Sequence, residues 1–253
     1  MRKKYLIVIN MLIFSLIGIN TIKAQKDTSN TKSPISIGAD LMSRYIWRGS
    51  DYGSSPSIQP GIEYSKGGFA IGAWGAYAIN FQGYQESDLY LGYTFYKDMF
   101  TVTLTDYYFQ SDTTNAKYFN YKNATTGHVL EATLAFNGTD KLPLSLMVAT
   151  NIYGADAKKI NSDGTQGNNQ FSTYAEIAYS FKYFDIFAGA NLLPVDLGKG
   201  ETGYYGNYQG FVNIGITVAK DIKITKQYSL PLTVSVITNP QAEKIYFVAG
   251  LSF

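Results

Sequence analysis

From Pro34 to the C-terminus, apolar residues recur at every second position. Leu89, Leu91, Tyr93 and Phe95 alternate with Asp88, Tyr90, Gly92 and Thr94, and Phe100, Val102 and Leu104 alternate with three threonines. The same rhythm runs through Leu130, Ala132, Leu134 and Phe136 and through Val212, Ile214, Ile216 and Val218. A period of two gives each segment one apolar and one polar face, which is the signature of a half-buried strand rather than a helix. Twelve strands are expected, at about 34–47, 56–65, 68–79, 86–96, 99–110, 127–137, 143–153, 170–181, 184–191, 206–219, 229–238 and 242–253.

The connections alternate in length. Short turns fall at Lys66-Gly67, Lys97-Asp98, Asn137–Lys141 and Lys182-Tyr183, with a longer one around Asp221–Gln227. Long polar links fall at 48–55, 80–85, 111–126, 154–169 and 192–205; only the link near Asn239-Pro240-Gln241 breaks the pattern. Short turns on one rim and long loops on the other describe a transmembrane antiparallel β-barrel. Closure has a strict cause, because an open sheet edge in hydrocarbon leaves backbone donors and acceptors unpaired. Paired aromatics near strand ends (Tyr45 and Trp47, Tyr107 and Tyr108, Tyr204 and Tyr205) are expected to form the interfacial girdles.

The N-terminus lies outside this pattern. Arg2, Lys3 and Lys4 precede an apolar stretch from Tyr5 to Ile19, and Ile22-Lys23-Ala24 is a fitting cleavage site, so residues 1–24 read as a signal peptide. Residues 25–33 form a polar spacer, and 34–253 the barrel. Removing residues 1–24 takes away four of 21 basic residues and none of the 19 acids, leaving a net charge of −2. The basic character of the whole chain therefore belongs to the leader and says nothing about nucleic acid. The 229 remaining residues give about 19 per strand plus connection, enough for a tilted span and a loop. The expected location is the outer membrane of a Gram-negative bacterium.

The chain closes on an alternating strand in which Ile245, Phe247, Ala249, Leu251 and Phe253 share one face. Tyr246, Phe247, Leu251 and the terminal Phe253 look like the sorting signal read by the barrel assembly machinery. That machinery, outer-membrane lipids and small polar solutes are the expected partners.

With the apolar register toward lipid, the opposite register faces the lumen. By parity Asp40, Arg44, Glu63, Trp74, Asp88, Glu131, Tyr174 and Glu176 point inward. Several carboxylates around one arginine suit a water-filled pore with a cation-favouring field. The alternative is a lumen filled by acid–arginine–tyrosine hydrogen bonds, stable without conducting. Twelve strands enclose more space than the eight that side chains alone can fill, which favours a narrow channel for small polar or cationic solutes.

The segment Arg48-Gly49-Ser50, followed by Gly61-Ile62-Glu63-Tyr64, Gly72-Ala73-Trp74-Gly75 and Asp88-Leu89-Tyr90-Leu91-Gly92-Tyr93, resembles the N-terminal hairpins of the TorF family of porin-like proteins. The resemblance covers about residues 36–96 and departs at Ser43, where an acidic residue is expected. It implies a porin-like barrel and names no solute.

Other chemistries are narrowed by composition. Without cysteine there is no thiol catalysis, and one histidine excludes a multi-histidine metal site. Barrel lipid hydrolases pair an outward histidine with a serine two residues later, but Leu130 follows His128, which therefore reads as a hydrated rim residue. Asp112, Asp156 and Asp163 match no calcium-loop spacing and read as solvated loop charges. The loops at 111–126 and 154–169 suit surface contacts through Asn, Thr, Gly and Tyr. No basic stripe points to nucleic acid, and no cofactor is expected.

Overall fold

The computed structural model describes residues 33–80, 85–110 and 117–253. Strands β1 (Ile35–Met42), β2 (Ser57–Lys66), β3 (Phe69–Ala78), β4 (Gln85–Phe95), β5 (Phe100–Gln110) and β6 (His128–Phe136) form the first half of a closed sheet. Strands β7 (Leu144–Gly154), β8 (Thr173–Ser180), β9 (Asp185–Asn191), β10 (Gly210–Lys223), β11 (Ser229–Asn239) and β12 (Lys244–Ser252) complete it. Each strand pairs antiparallel with its neighbours in the chain, as alternation plus short turns dictates. The ring closes where Asp40, Leu41 and Met42 of β1 face Ser252, Leu251 and Gly250 of β12. At this seam the Phe253 backbone N–H donates to Ala39 O at 3.0 Å and its carbonyl accepts from Ala39 N. The expected signal peptide, residues 1–24, and most of the expected spacer lie outside the described residues.

The exterior is apolar in the register expected. Ile37, Ile62, Ile71, Leu89, Leu91, Leu104, Leu134, Ile177 and Phe247 all point outward and are exposed. Water would penalise such a continuous belt, whereas lipid does not. The fold is therefore that of a membrane-spanning barrel. No helix among the described residues is long and apolar enough to cross a membrane.

Two boundaries differ from expectation. The first strand ends at Met42 instead of continuing to Trp47, because the chain turns off the wall after Ser43, whose N–H and hydroxyl bind Ala249. The tenth strand runs Gly210–Lys223, so the chain before it is loop. Residues 46–51 fold instead into a two-stranded ribbon, Ile46–Trp47 against Ser50–Asp51.

The girdle expectation is overturned at its most prominent positions. Tyr45, Trp47, Tyr107 and Tyr205 are buried and pack together with Tyr174, Val129 and Val212 inside the lumen. Tyr204, Tyr52, Trp74 and Phe109 pack against this cluster. Twelve strands leave more room than wall side chains can fill, and aromatic rings carried inward by the 43–56 and 192–209 loops fill it near the long-loop ends of the strands. Tyr108 is buried too, but on the outer wall.

Candidate functional site in the barrel lumen

The ribbon tip carries the central group. Arg48 and Gly49 adopt φ of 48° and 79°, the left-handed pair required by a two-residue turn between Trp47 and Ser50. The turn sits against the far wall, where Asn239 Nδ2 donates to Gly49 O at 3.1 Å. A Cβ at Gly49 would lie 1.8 Å from Val212 O, so only glycine fits. Arg44, expected to pair with lumen carboxylates, instead binds Asp51 at the base of the ribbon. β1 has already ended by that point, so strand parity no longer governs its direction.

The cation in the lumen is Arg48. Its Nη2 donates to Glu131 Oε1 at 2.9 Å and its Nη1 to Tyr205 Oη at 2.6 Å. Tyr205 Oη donates to Glu131 Oε2 at 2.9 Å, while Tyr107 Oη and Thr133 Oγ1 donate to Oε1 at 3.1 and 3.0 Å. The guanidinium carbon lies 4.5, 4.7 and 5.2 Å from the ring centroids of Trp47, Tyr174 and Tyr205. Both partners are buried, which makes a charge-assisted, two-pronged contact with aromatic faces on several sides. Burial works against the guanidinium charge, yet adjacent Glu131 raises its proton affinity well above the ordinary arginine value.

Each wall residue read as inward does face the lumen. Glu63 accepts from Tyr90 Oη at 2.9 Å. Asp40 lies opposite Ser252 across the seam. Asp88 Oδ1 accepts from Tyr108 N at 3.3 Å. Trp74 packs on Tyr45 at 5.6 Å between centroids. Tyr174 donates to Glu176, and Asn213 Nδ2 donates to the same carboxylate at 3.0 Å. The Tyr174 ring lies over Gly189 of the next strand, where a Cβ would fall 1.8 Å from its hydroxyl.

Glu86 joins this set without having been singled out. It is buried, and it shares Asp88's parity, so the strand pattern carried the signal. Arg48 and Tyr205 lie on loops, where no periodicity exists to find them. Tyr205 is held in place because Asn191 Nδ2 donates to Gly206 O at 2.8 Å and to Tyr208 O at 3.0 Å.

Among the residues expected to form an assembly signal, Phe247 points outward and is exposed, Tyr246 takes the opposite register, and Leu251 and Phe253 lie at the seam. The outward parity of His128 also holds, but its hydration does not. Residues 117–127 fold over it on the outer wall, and it is fully buried. Its Nδ1 contacts Asp106 Oδ1 at 2.8 Å, its Nε2 contacts Tyr118 O at 2.5 Å, and Tyr121 stacks on the ring at 4.1 Å. Both nitrogens serve to fasten a loop.

Asp156 is likewise no solvated charge. It accepts from Asn151 Nδ2 at 3.0 Å and Ser172 N at 3.1 Å and is buried. Asp163 is an exposed turn acceptor for Thr165, and Asp112 lies outside the described residues. Among the described residues no group of three or more metal-ligating side chains converges.

A closed twelve-stranded barrel with an apolar exterior and a charged, aromatic lumen defines a membrane-spanning β-barrel protein. Within that class the chain belongs to the Gcw_chp family, described as a bacterial protein of unknown function, which it matches over residues 26–229. No curated protein matches it. Among solved structures it is similar to the KdgM porin, at 12% identity and TM-score 0.45, over 85% of this chain and 98% of that one. The KdgM porin in complex with disordered oligogalacturonate gives 12% identity and TM-score 0.44 over the same shares. Pseudomonas aeruginosa OccK9 (OpdG) gives 13% identity and TM-score 0.33, over 89% of this chain and 64% of that one. The Arg48-Gly49-Ser50 motif noted in the sequence is the tip of the lumen ribbon.

Proposed function

We propose that the chain is an outer-membrane, porin-like channel for small polar or cationic solutes, seen here closed by the 43–56 segment. The observation that carries this reading is the charge of the wall. Asp40, Glu63, Glu86, Asp88, Glu131 and Glu176 face the lumen, and of these six only Glu131 forms an ion pair among the described residues, with Arg48. An excess of fixed negative charge in a low-dielectric pore favours cations and repels anions. Threonine and serine hydroxyls line the short-turn half, as at Thr94–Thr101 and Thr217–Ser235, and offer a wettable path.

The aromatic plug supports a second reading, a barrel whose filled lumen is structural and whose loops bind at the surface. Planar-bilayer recording separates the two. The channel reading predicts cation-selective openings whose selectivity falls in Glu63→Gln and Asp88→Asn. Silence from folded wild-type and folded Arg48→Ala protein alike would transfer the case to the filled-lumen reading. The lipids of the outer membrane and the assembly machinery that reads the C-terminal strand are the partners this proposal entails.

A further inference from the structure

The group that closes the lumen is bound as a ligand is bound. Most of the contacts to the Arg48 guanidinium come from residues other than those of its own segment. Glu131 belongs to the wall strand β6, Tyr174 to β8, and Tyr205 to the 192–209 loop. Tyr107 and Thr133 fix the Glu131 carboxylate whether or not Arg48 is present, and Tyr205 spans Glu131 and Asn151. A carboxylate with both oxygens presented, two tyrosine faces and a tyrosine hydroxyl form a cage for a flat, delocalised cation.

The ribbon delivers Arg48 into this cage on a left-handed Arg-Gly turn. Among the described residues the tip is otherwise tied to the wall by a single hydrogen bond, from Asn239.

We propose that this cage is the channel's recognition site for a guanidinium-bearing solute and that Arg48 is its tethered occupant, displaced by the solute as the 43–56 segment withdraws. The inference rests on the channel reading and narrows its solute class. A tethered arginine competes at an effective concentration of about millimolar, so a free cation opens the lumen only where it is abundant or makes extra contacts.

Calorimetric titration of the folded barrel in detergent with methylguanidinium tests the cage without using conduction. Arg48→Ala should bind methylguanidinium on the order of tenfold more tightly than methylammonium, because only the planar fork uses both oxygens and both rings. Adding Glu131→Gln should abolish that binding. If Arg48→Ala does not fold, Gly49→Ala, whose ribbon tip cannot seat against Val212, should show the same preference.

In wild type, methylguanidinium should increase proteolysis of residues 43–56. Absence of binding to a folded Arg48→Ala or Gly49→Ala barrel overturns the proposal. So do equal affinity for methylammonium, or binding that leaves wild-type proteolysis unchanged. A barrel that binds but never conducts overturns the channel reading and leaves the cage standing; one that conducts but does not bind does the reverse.

Discussion

Arg48 and Glu131, 83 positions apart in the chain, meet inside the barrel with Nη2 on Oε1 at 2.9 Å and Nη1 on Oε2 at 2.5 Å. Neither side chain is accessible enough for water to replace its partner. Breaking such a buried pair costs about 3–5 kcal/mol, because one charge is left uncompensated. Arg48→Ala should therefore lower the urea midpoint of the refolded barrel. Arg48→Ala/Glu131→Gln should recover most of the loss, since it removes both charges. Equal midpoints for wild type and Arg48→Ala would show that the pair contributes nothing.

Gly49→Ala should displace the plug without altering any charge. Its Cβ would occupy the position of Val212 O, so the ribbon tip must back away from the wall. The expected result is a red-shifted, more quenchable emission from Trp47, which is buried in the wild type. Unchanged emission would mean that the tip tolerates a side chain.

The 117–127 loop depends on His128. Losing the imidazole removes the contacts to Asp106 and Tyr118 O and the stacking on Tyr121. His128→Ala should destabilise this covering by about 2 kcal/mol and speed tryptic cleavage after the exposed Lys117 and Lys122. We expect no histidine-dependent release of fatty acid from phospholipid by either form. Resistance to trypsin equal to wild type would show that the loop is held by other means.

Acid should loosen the long-loop rim through Glu201. Its carboxyl accepts the N–H groups of Asp196 and Ile160, each at 3.0 Å, and these bonds hold it below the usual glutamate range. A depressed value means the stabilisation is present above the unfolded-state value and is lost as pH falls through the folded one. The protection factors of the Ile160 and Asp196 amides should fall below about pH 4.3, and Glu201→Gln should remove that dependence. A flat profile in wild type would contradict the assignment.

Phe253 closes the seam by exchanging backbone bonds with Ala39. Its deletion should reduce outer-membrane levels more than any single lumen substitution. Normal levels of the truncated chain would refute this.

The strand plan was legible because one face of each strand meets lipid and the other does not, so every second residue carries the signal. Parity correctly turned Glu63, Asp88, Glu131, Tyr174 and Glu176 inward. It would have turned Tyr107 inward too, since that residue shares the face of Thr101, Thr103 and Thr105. Grouping Tyr107 with Tyr108 as an interfacial pair hid this. Arg48, Tyr45 and Tyr205 were beyond reach for a different reason. They lie past the strand ends, where direction is set by a turn, a hydrogen bond from Asn239 or Asn191, and contacts from distant strands. His128 shows the same limit on the outside, where parity was right and the covering loop was invisible.

The central claim is that the Arg48 ribbon closes a cation-selective pore. Planar-bilayer recording of wild type beside Arg48→Ala, both shown folded by heat-modifiable gel migration, tests it most directly. The account predicts rare cation-selective openings in wild type and more frequent or larger ones in Arg48→Ala, with anions still excluded by the wall carboxylates. Two silent barrels, or anion-selective currents in either, would contradict it.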